Sequence, residues 1–218
     1  MGIGRREFLR LFGAGIAAAA SPTTAIAIAD NQYINRRLGL AFEKPTDWVF
    51  ADIKQMADVK AGQILDFDDP ELSRWIVEAT EVPILSISKE QIVANSNRFT
   101  PGVTVYLERF SPEEASDQDC LSPVESLESD SETCRVILKD FRAISPATTA
   151  TISACDAAHY DATFTFEHKH MTPTPVRMKT LVIDQATAFY TIRMYDSPHL
   201  GNTMFVDYSS FIASIQMV

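Results

Sequence analysis

The chain is short of the residues that usually announce a chemistry. It has three cysteines in 218 residues, Cys120, Cys134 and Cys155. That count excludes a small domain stapled by several disulfides, and no two of the three form a C-x-x-C pair. Glycine is scarce as well: there are eight, several of them within the first fifteen positions. A glycine-rich phosphate loop therefore has no place, and neither G-x-S-x-G nor H-E-x-x-H occurs. The third shortage is positive charge. Against 29 Asp and Glu stand 19 Lys and Arg, a formal net charge of −10. Such a surface repels phosphate backbones and anionic lipid heads, so neither nucleic acid nor a membrane surface is expected as a partner. The apolar run Leu11–Ala20 is also too short to span a bilayer, which needs about 20 residues.

What is present is ordinary for one globular domain. Hydrophobic residues make up 46% of the chain, and its length suffices for a sizeable core. The pattern is plainest near position 40. Leu38, Leu40 and Phe42 alternate with Gly39, Ala41 and Glu43, the period of a half-buried strand. Pro45 cannot donate a ladder hydrogen bond and should stop it, with Thr46 and Asp47 capping a turn or a helix start. Trp48 is expected to anchor one edge of the core.

The first 29 residues read as an address. A basic start, Gly4-Arg5-Arg6-Glu7-Phe8-Leu9-Arg10, precedes the mildly apolar Leu11–Ala20 and the small residues Ala25-Ile-Ala-Ile-Ala29. Through Arg5, Arg6, Phe8 and Leu9 the segment resembles the bacterial twin-arginine export signal. Cleavage would follow Ala27 or Ala29, and no cysteine is placed there for a lipid anchor. The resemblance implies a protein exported already folded, periplasmic or secreted, and soluble after cleavage. It implies membrane contact only through the signal during export. Many proteins exported this way load a cofactor first and many do not, so no cofactor is assigned. Losing Arg5, Arg6, Arg10 and Glu7 would move the net charge from −10 to −12.

Residues 30–218 read as a single domain. Asp30–Arg37 is a polar lead-in, and a helix is predicted near Val49–Gln63. Asp68-Asp69-Pro70 should start a second helix, Pro70–Ala79. Val82–Ser88 and Val103–Phe110 read as strands. Ser111–Glu132 holds eight acids and no base, which suggests a mobile or loosely helical insertion; it lacks EF-hand spacing. Cys134–Ile144 looks helical. Thr148–Cys155, Tyr160–His170, Val176–Asp184 and Thr187–Tyr195 look like strands, with a turn at Thr172–Pro175 and a tight hairpin at Gln185-Ala186. Asn202–Val218 carries a wide apolar stripe at helical spacing, and Asn202 can cap it.

Asn35-Arg-Arg-Leu-Gly-Leu-Ala-Phe-Glu-Lys-Pro-Thr-Asp-Trp48 resembles the opening strand of the Mog1/PsbP-like domains. The closing strands and Phe211-Ile-Ala-Ser-Ile215 resemble that group's ending. The resemblance implies an α+β fold, an antiparallel β-sheet flanked by helices as an α/β/α sandwich, with the C-terminal helix packed on the sheet. Most members are not enzymes, and no catalytic residue comes with the group. Fold does not decide function in any case.

Two constellations remain. His168 and His170 lie two apart on an expected strand and so on one face, where neutral imidazoles can chelate zinc or copper if a third ligand arrives. His159, His199 and Glu167 are the nearest supply, although Glu167 should face the other way. A Cys120–Cys134 bridge would close a 15-residue loop across the acidic insertion, worth about 3 kcal/mol in the chain-entropy model. Cys155 would be left over beside His159, with nothing to orient the two as a nucleophile pair. The leading expectation is an exported, non-catalytic binding or accessory domain for a protein or small ligand. The alternatives are a metal-binding protein using His168 and His170, or an enzyme whose site carries no recognisable motif.

Overall fold

A computed structural model describes residues 26–51, 56, 59, 62–65, 83–92, 98–110, 122–186, 188–200 and 203–218. A small antiparallel sheet opens the chain. It comprises β1 (Ile26–Ala29), β2 (Gln32–Asn35) and β3 (Leu40–Glu43). The tight turn between β2 and β3 needs Gly39, whose φ is +73°. A Cβ there would also come within 3.1–3.2 Å of Gln185 Nε2 and the Val218 carbonyl. The turn after β3 forms where Pro45 places it: Trp48 N–H donates to the Pro45 carbonyl at 3.2 Å, and Asp47 is left-handed, with φ 66°.

The larger sheet is built from nine strands. They are β4 (Val49–Phe50), β5 (Gln63–Ile64), β6 (Leu85–Ser88), β7 (Gly102–Arg109), β8 (Arg142–Ala143), β9 (Thr148–Ile152), β10 (Cys155–His168), β11 (Met171–Asp184) and β12 (Ala188–Asp196). Its order is β4-β6-β7-β12-β11-β10-β5, with β8 and β9 also on the outer edge of β10. Every pairing is antiparallel. The helix α1 (Pro123–Ile137) covers one face of this sheet. On the other face lie α2 (Thr203–Ser214) and the small sheet, which β13 (Gln216–Met217) extends by pairing with β3. The fold is therefore α+β, dominated by antiparallel sheet, with a C-terminal helix packed on it.

Both faces of the large sheet are buried, and successive residues feed opposite cores. Leu181, Ile183, Ile192 and Met194 pack with Phe42, Trp48 and Phe211 beneath α2. Met178, Val182 and Phe189 pack with Leu127 and Phe141 beneath α1. The β11–β12 hairpin turns at Gln185 and Ala186 as expected, with Gln185 N–H donating to Ala188 O at 3.0 Å.

Several boundaries differ from the expectation, each for a physical reason. Residues 30–37 are no lead-in: Gln32–Asn35 pairs with strands on both sides. The helix expected over 49–63 yields its ends to β4 and β5; between them Met56 and Val59 are helical. The helix expected over 134–144 instead begins inside the acidic stretch and ends at Ile137. Ser122 Oγ accepts the Glu125 N–H while the Glu125 carboxylate accepts the Ser122 N–H at 2.8 Å, and Pro123 opens the first turn. Arg142 and Ala143 then pair with β10. Thr172–Pro175 is strand, and the turn falls at Lys169-His170. The prolines are tolerated there because Thr165 N–H donates to Lys139 O at 2.8 Å, not to its partner Pro175. The Pro175 nitrogen therefore faces away from β10, on a side that β12 joins only from Arg177 onward. The final helix stops at Ser214. The expected helix at 70–79, residues 111–121 of the acidic stretch and the signal residues Arg5, Arg6, Phe8 and Leu9 lie outside the described residues.

Candidate binding site

The register of the large sheet places four polar residues in one row. Thr104 lies opposite Arg193, Arg193 opposite Thr180, and Thr180 opposite Tyr160. Residues directly opposite share a face, so this row runs under α1. Asp130 on α1 closes it. One carboxylate oxygen pairs with the Arg193 guanidinium, and the other accepts the Tyr160 hydroxyl at 2.8 Å. The guanidinium also stands 5.4 Å from the Tyr106 ring centroid. Cys134, one turn along α1, brings its Sγ to 3.9 Å from Asp130. Burial pushes the Cys134 thiol up to about 11, and the Asp130 charge adds to the shift. Burial likewise raises the Tyr160 and Tyr195 phenols, the first reinforced by Asp130. At neutral pH these groups keep their protons and serve as donors rather than nucleophiles. The cluster fastens α1 to the sheet.

The opposite face holds a cavity of about 500 Å³ between β9, β10, β11 and α2. Ile152, Leu181, Ile212 and Ile215 line it with apolar surface, and His159 and Lys179 bring polarity. His159 lies opposite Leu181, and Asp161 opposite Lys179, so all four share this face. Lys179 Nζ meets Asp161 at 2.8 Å. Nothing among the described residues pairs with the buried Nδ1 of His159. Burial lowers the His159 pKa, Lys179 lowers it further, and Asp161 opposes both. The cavity therefore presents the ring of a neutral imidazole, its Nδ1 closed off from solvent, beside Lys179 and the hydroxyl residues Thr151, Ser153 and Ser209 in walls that are mainly apolar. It suits a small ligand with an apolar body and one hydrogen-bonding group.

The pH dependence follows. His159 and His168 both have folded pKa values lowered from 6.5, burial being the first cause in each. The unfolded chain thus binds more protons as acid is added. The stability these neutral histidines contribute is complete above about pH 6.5 and is lost as pH falls toward their folded pKa values. Denaturant midpoints at pH 7.5 should exceed those at pH 5.5, and His159→Gln with His168→Gln should flatten the difference. An unchanged slope in that variant would overturn the assignment.

His168 ends β10 and is 8% exposed, whereas His170 sits in the following turn and not on a strand. Their ring centroids are 5.6 Å apart. His168 Nδ1 already accepts the His170 backbone N–H at 3.2 Å, and Nε2 lies where a Cβ on Gly62 would be 2.0 Å away. Glu167 pairs with Lys139 at 2.7 Å. Among the described residues no three His, Cys, Asp or Glu side chains gather as a metal site. Cys134 carries a free thiol, and Cys120 lies outside the described residues. Cys155 and His159 are four residues apart on β10, about 13 Å at a strand's rise, too far for proton transfer. The polar row closed by Asp130 is not visible in the sequence, although the Ser122-Pro-Val-Glu125 capping box announces its helix.

No protein-family model matches the chain, and no curated protein matches it in sequence. Several solved structures are similar to it. Cyanobacterial PsbP (CyanoP) from Synechocystis sp. PCC 6803 is 10% identical with a TM-score of 0.49, over 92% of this chain and 99% of that one. LpqN, involved in cell envelope biogenesis of Mycobacterium tuberculosis, is 12% identical with a TM-score of 0.47, over 81% and 82%. A protein of unknown function from Pseudomonas aeruginosa, described as a putative regulator, is 12% identical with a TM-score of 0.36, over 50% and 70%. No described helix is long and apolar enough to cross a membrane.

Proposed function

We propose that this is an exported, non-catalytic binding domain, and that its ligand is a small molecule with an apolar body and one hydrogen-bonding group. The observation that carries the reading is the cavity beneath α2, whose mainly apolar walls carry His159 and Lys179. Export rests on the resemblance of residues 1–29 to a twin-arginine signal.

The probe for a test is 1-anilinonaphthalene-8-sulfonate, which has an apolar body and one polar head. Ala213 is exposed on α2 at the cavity's rim, so Ala213→Trp should obstruct the cavity and leave the fold intact. The protein should enhance the probe's fluorescence saturably, and Ala213→Trp should weaken binding at least tenfold at unchanged circular dichroism. Equal binding by both proteins would sink the site. Metal analysis of protein purified without chelator tests the alternative at His168 and His170.

A further inference from the structure

We propose that β1 is a removable strand, and that its loss opens the outer edge of β2 to an extended segment of another protein. The inference rests on reading residues 1–29 as an export leader, and concerns a surface distinct from the cavity. Both cut sites fall within the β1 region. Cleavage adds water across the Ala29–Asp30 or the Ala27–Ile28 peptide bond, and takes away all of β1 or half of it. Among the described residues β1 has a single neighbour, β2, in the order β1-β2-β3-β13. Its Ile28 is 56% exposed despite lying opposite the buried Tyr33. With Ile28 turned to solvent and the ladder to β2 on one side, the strand can peel away for the peptidase. The rest of β2 stays packed, because Tyr33 stacks on Phe42 at 4.9 Å and β2 pairs with β3 along its length.

An edge uncovered in this way presents unpaired backbone donors and acceptors, the template for strand addition. The occupant it fits is the one it already holds: an extended run alternating branched and small residues, antiparallel to β2. Ile26 lies opposite Asn35, so the incoming strand starts beside the exposed Arg36 and Arg37. A partner with acidic residues just before its apolar run is favoured there. A second copy of this chain is disfavoured by charge, since each mature molecule would carry −12.

The test compares protein purified from the periplasm of its host with a chain beginning at Ile26, which holds every described residue. The probe is a fluorescein-labelled peptide spanning Thr24–Asp30. The exported protein should bind it saturably, at least tenfold more tightly than the chain that retains β1, and an Ala27→Pro peptide, which loses the N–H that faces Ile34, should not bind. The amide of Ile34, and that of Gln32 if the cut follows Ala29, face β1 and should exchange at least tenfold faster in the exported protein and slow when the peptide is added. Equal exchange in the two proteins overturns the inference, as does a peptide bound by both equally or by neither. An exported protein whose N-terminus lies upstream of Ile26 overturns the leader reading and this inference together. An N-terminus at Ile28 or Asp30 with unchanged exchange overturns this inference alone.

Discussion

Asp130→Ala is expected to lower the unfolding free energy by about 3 kcal/mol, near the lower end for breaking a buried ion pair. The placement follows from exposure: the Asp130 and Arg193 side chains are 19% and 23% exposed, so solvent screens part of the loss. Three partners lose the same carboxylate. Arg193 keeps its charge over Tyr106 without a counter-ion, Tyr160 keeps a buried hydroxyl without its acceptor, and Cys134 loses its nearest oxygen. For a domain of this size the shift in Tm should be about 6–12 °C. Asp130→Asn retains an acceptor for Tyr160 and removes only the charge, so its loss should be smaller. Arg193→Met combined with Asp130→Ala should be milder than the two single losses added, because no unpaired charge remains. Denaturant melts of these four variants against the parent protein decide the matter. A loss below about 1 kcal/mol for Asp130→Ala would mean that the pair acts as a surface salt bridge and does not fasten α1.

That helix also shows where sequence reading succeeds and fails. Strands β7, β10, β11 and β12 were legible because each alternates between two apolar cores, and Gln185-Ala186 is a two-residue turn between them. Trp48 and the Pro45 turn were legible for the same local reason. α1 was misjudged because its acids mask it: only Pro123, Leu127 and Cys134 bury, too few for a stripe to stand out. Its start lay in the sequence all the same, as the capping box at Ser122 and Glu125. β1 looked like the end of a leader, since Ile-Ala-Ile-Ala suits a cleavage region and an edge strand equally. β13 is two residues long and exists only because β3 offers it an edge. The cavity was least legible. Its lining comes from β9, β10, β11 and α2, and His159 joins Lys179 and Ile212 only once the sheet is in register. Histidine spacing points to His168 and His170, whereas the histidine that lines the cavity is His159, and nothing in its spacing marks it.

Trp48→Ala should destabilise the protein by about 3–5 kcal/mol, the range for deleting a large buried aromatic. Two interactions converge on this side chain, and their magnitudes rank them. The ring is 1% exposed and meets Tyr208 edge-on at 5.7 Å, so it joins the turn after β3 to α2. Its Nε1–H donates to Asp207 at 3.1 Å, but that carboxylate also has Lys89 at 3.6 Å and is partly exposed. Loss of the hydrogen bond leaves Asp207 solvated and paired, a cost of about 1–1.5 kcal/mol. Loss of the ring leaves a cavity between α2 and the sheet that neighbouring side chains fill only in part. Trp48→Phe should therefore retain much of the stability, and the gap between the phenylalanine and alanine variants measures the packing. Tyr208 supplies a second readout, because its hydroxyl donates to the Tyr195 carbonyl on β12 and holds α2 in place. If packing fixes the helix, Trp48→Ala should also speed amide exchange in α2 and weaken probe binding in the cavity that α2 walls, whereas Trp48→Phe should leave both nearly unchanged. Equal losses for the two variants would assign the anchor to the Asp207 hydrogen bond instead.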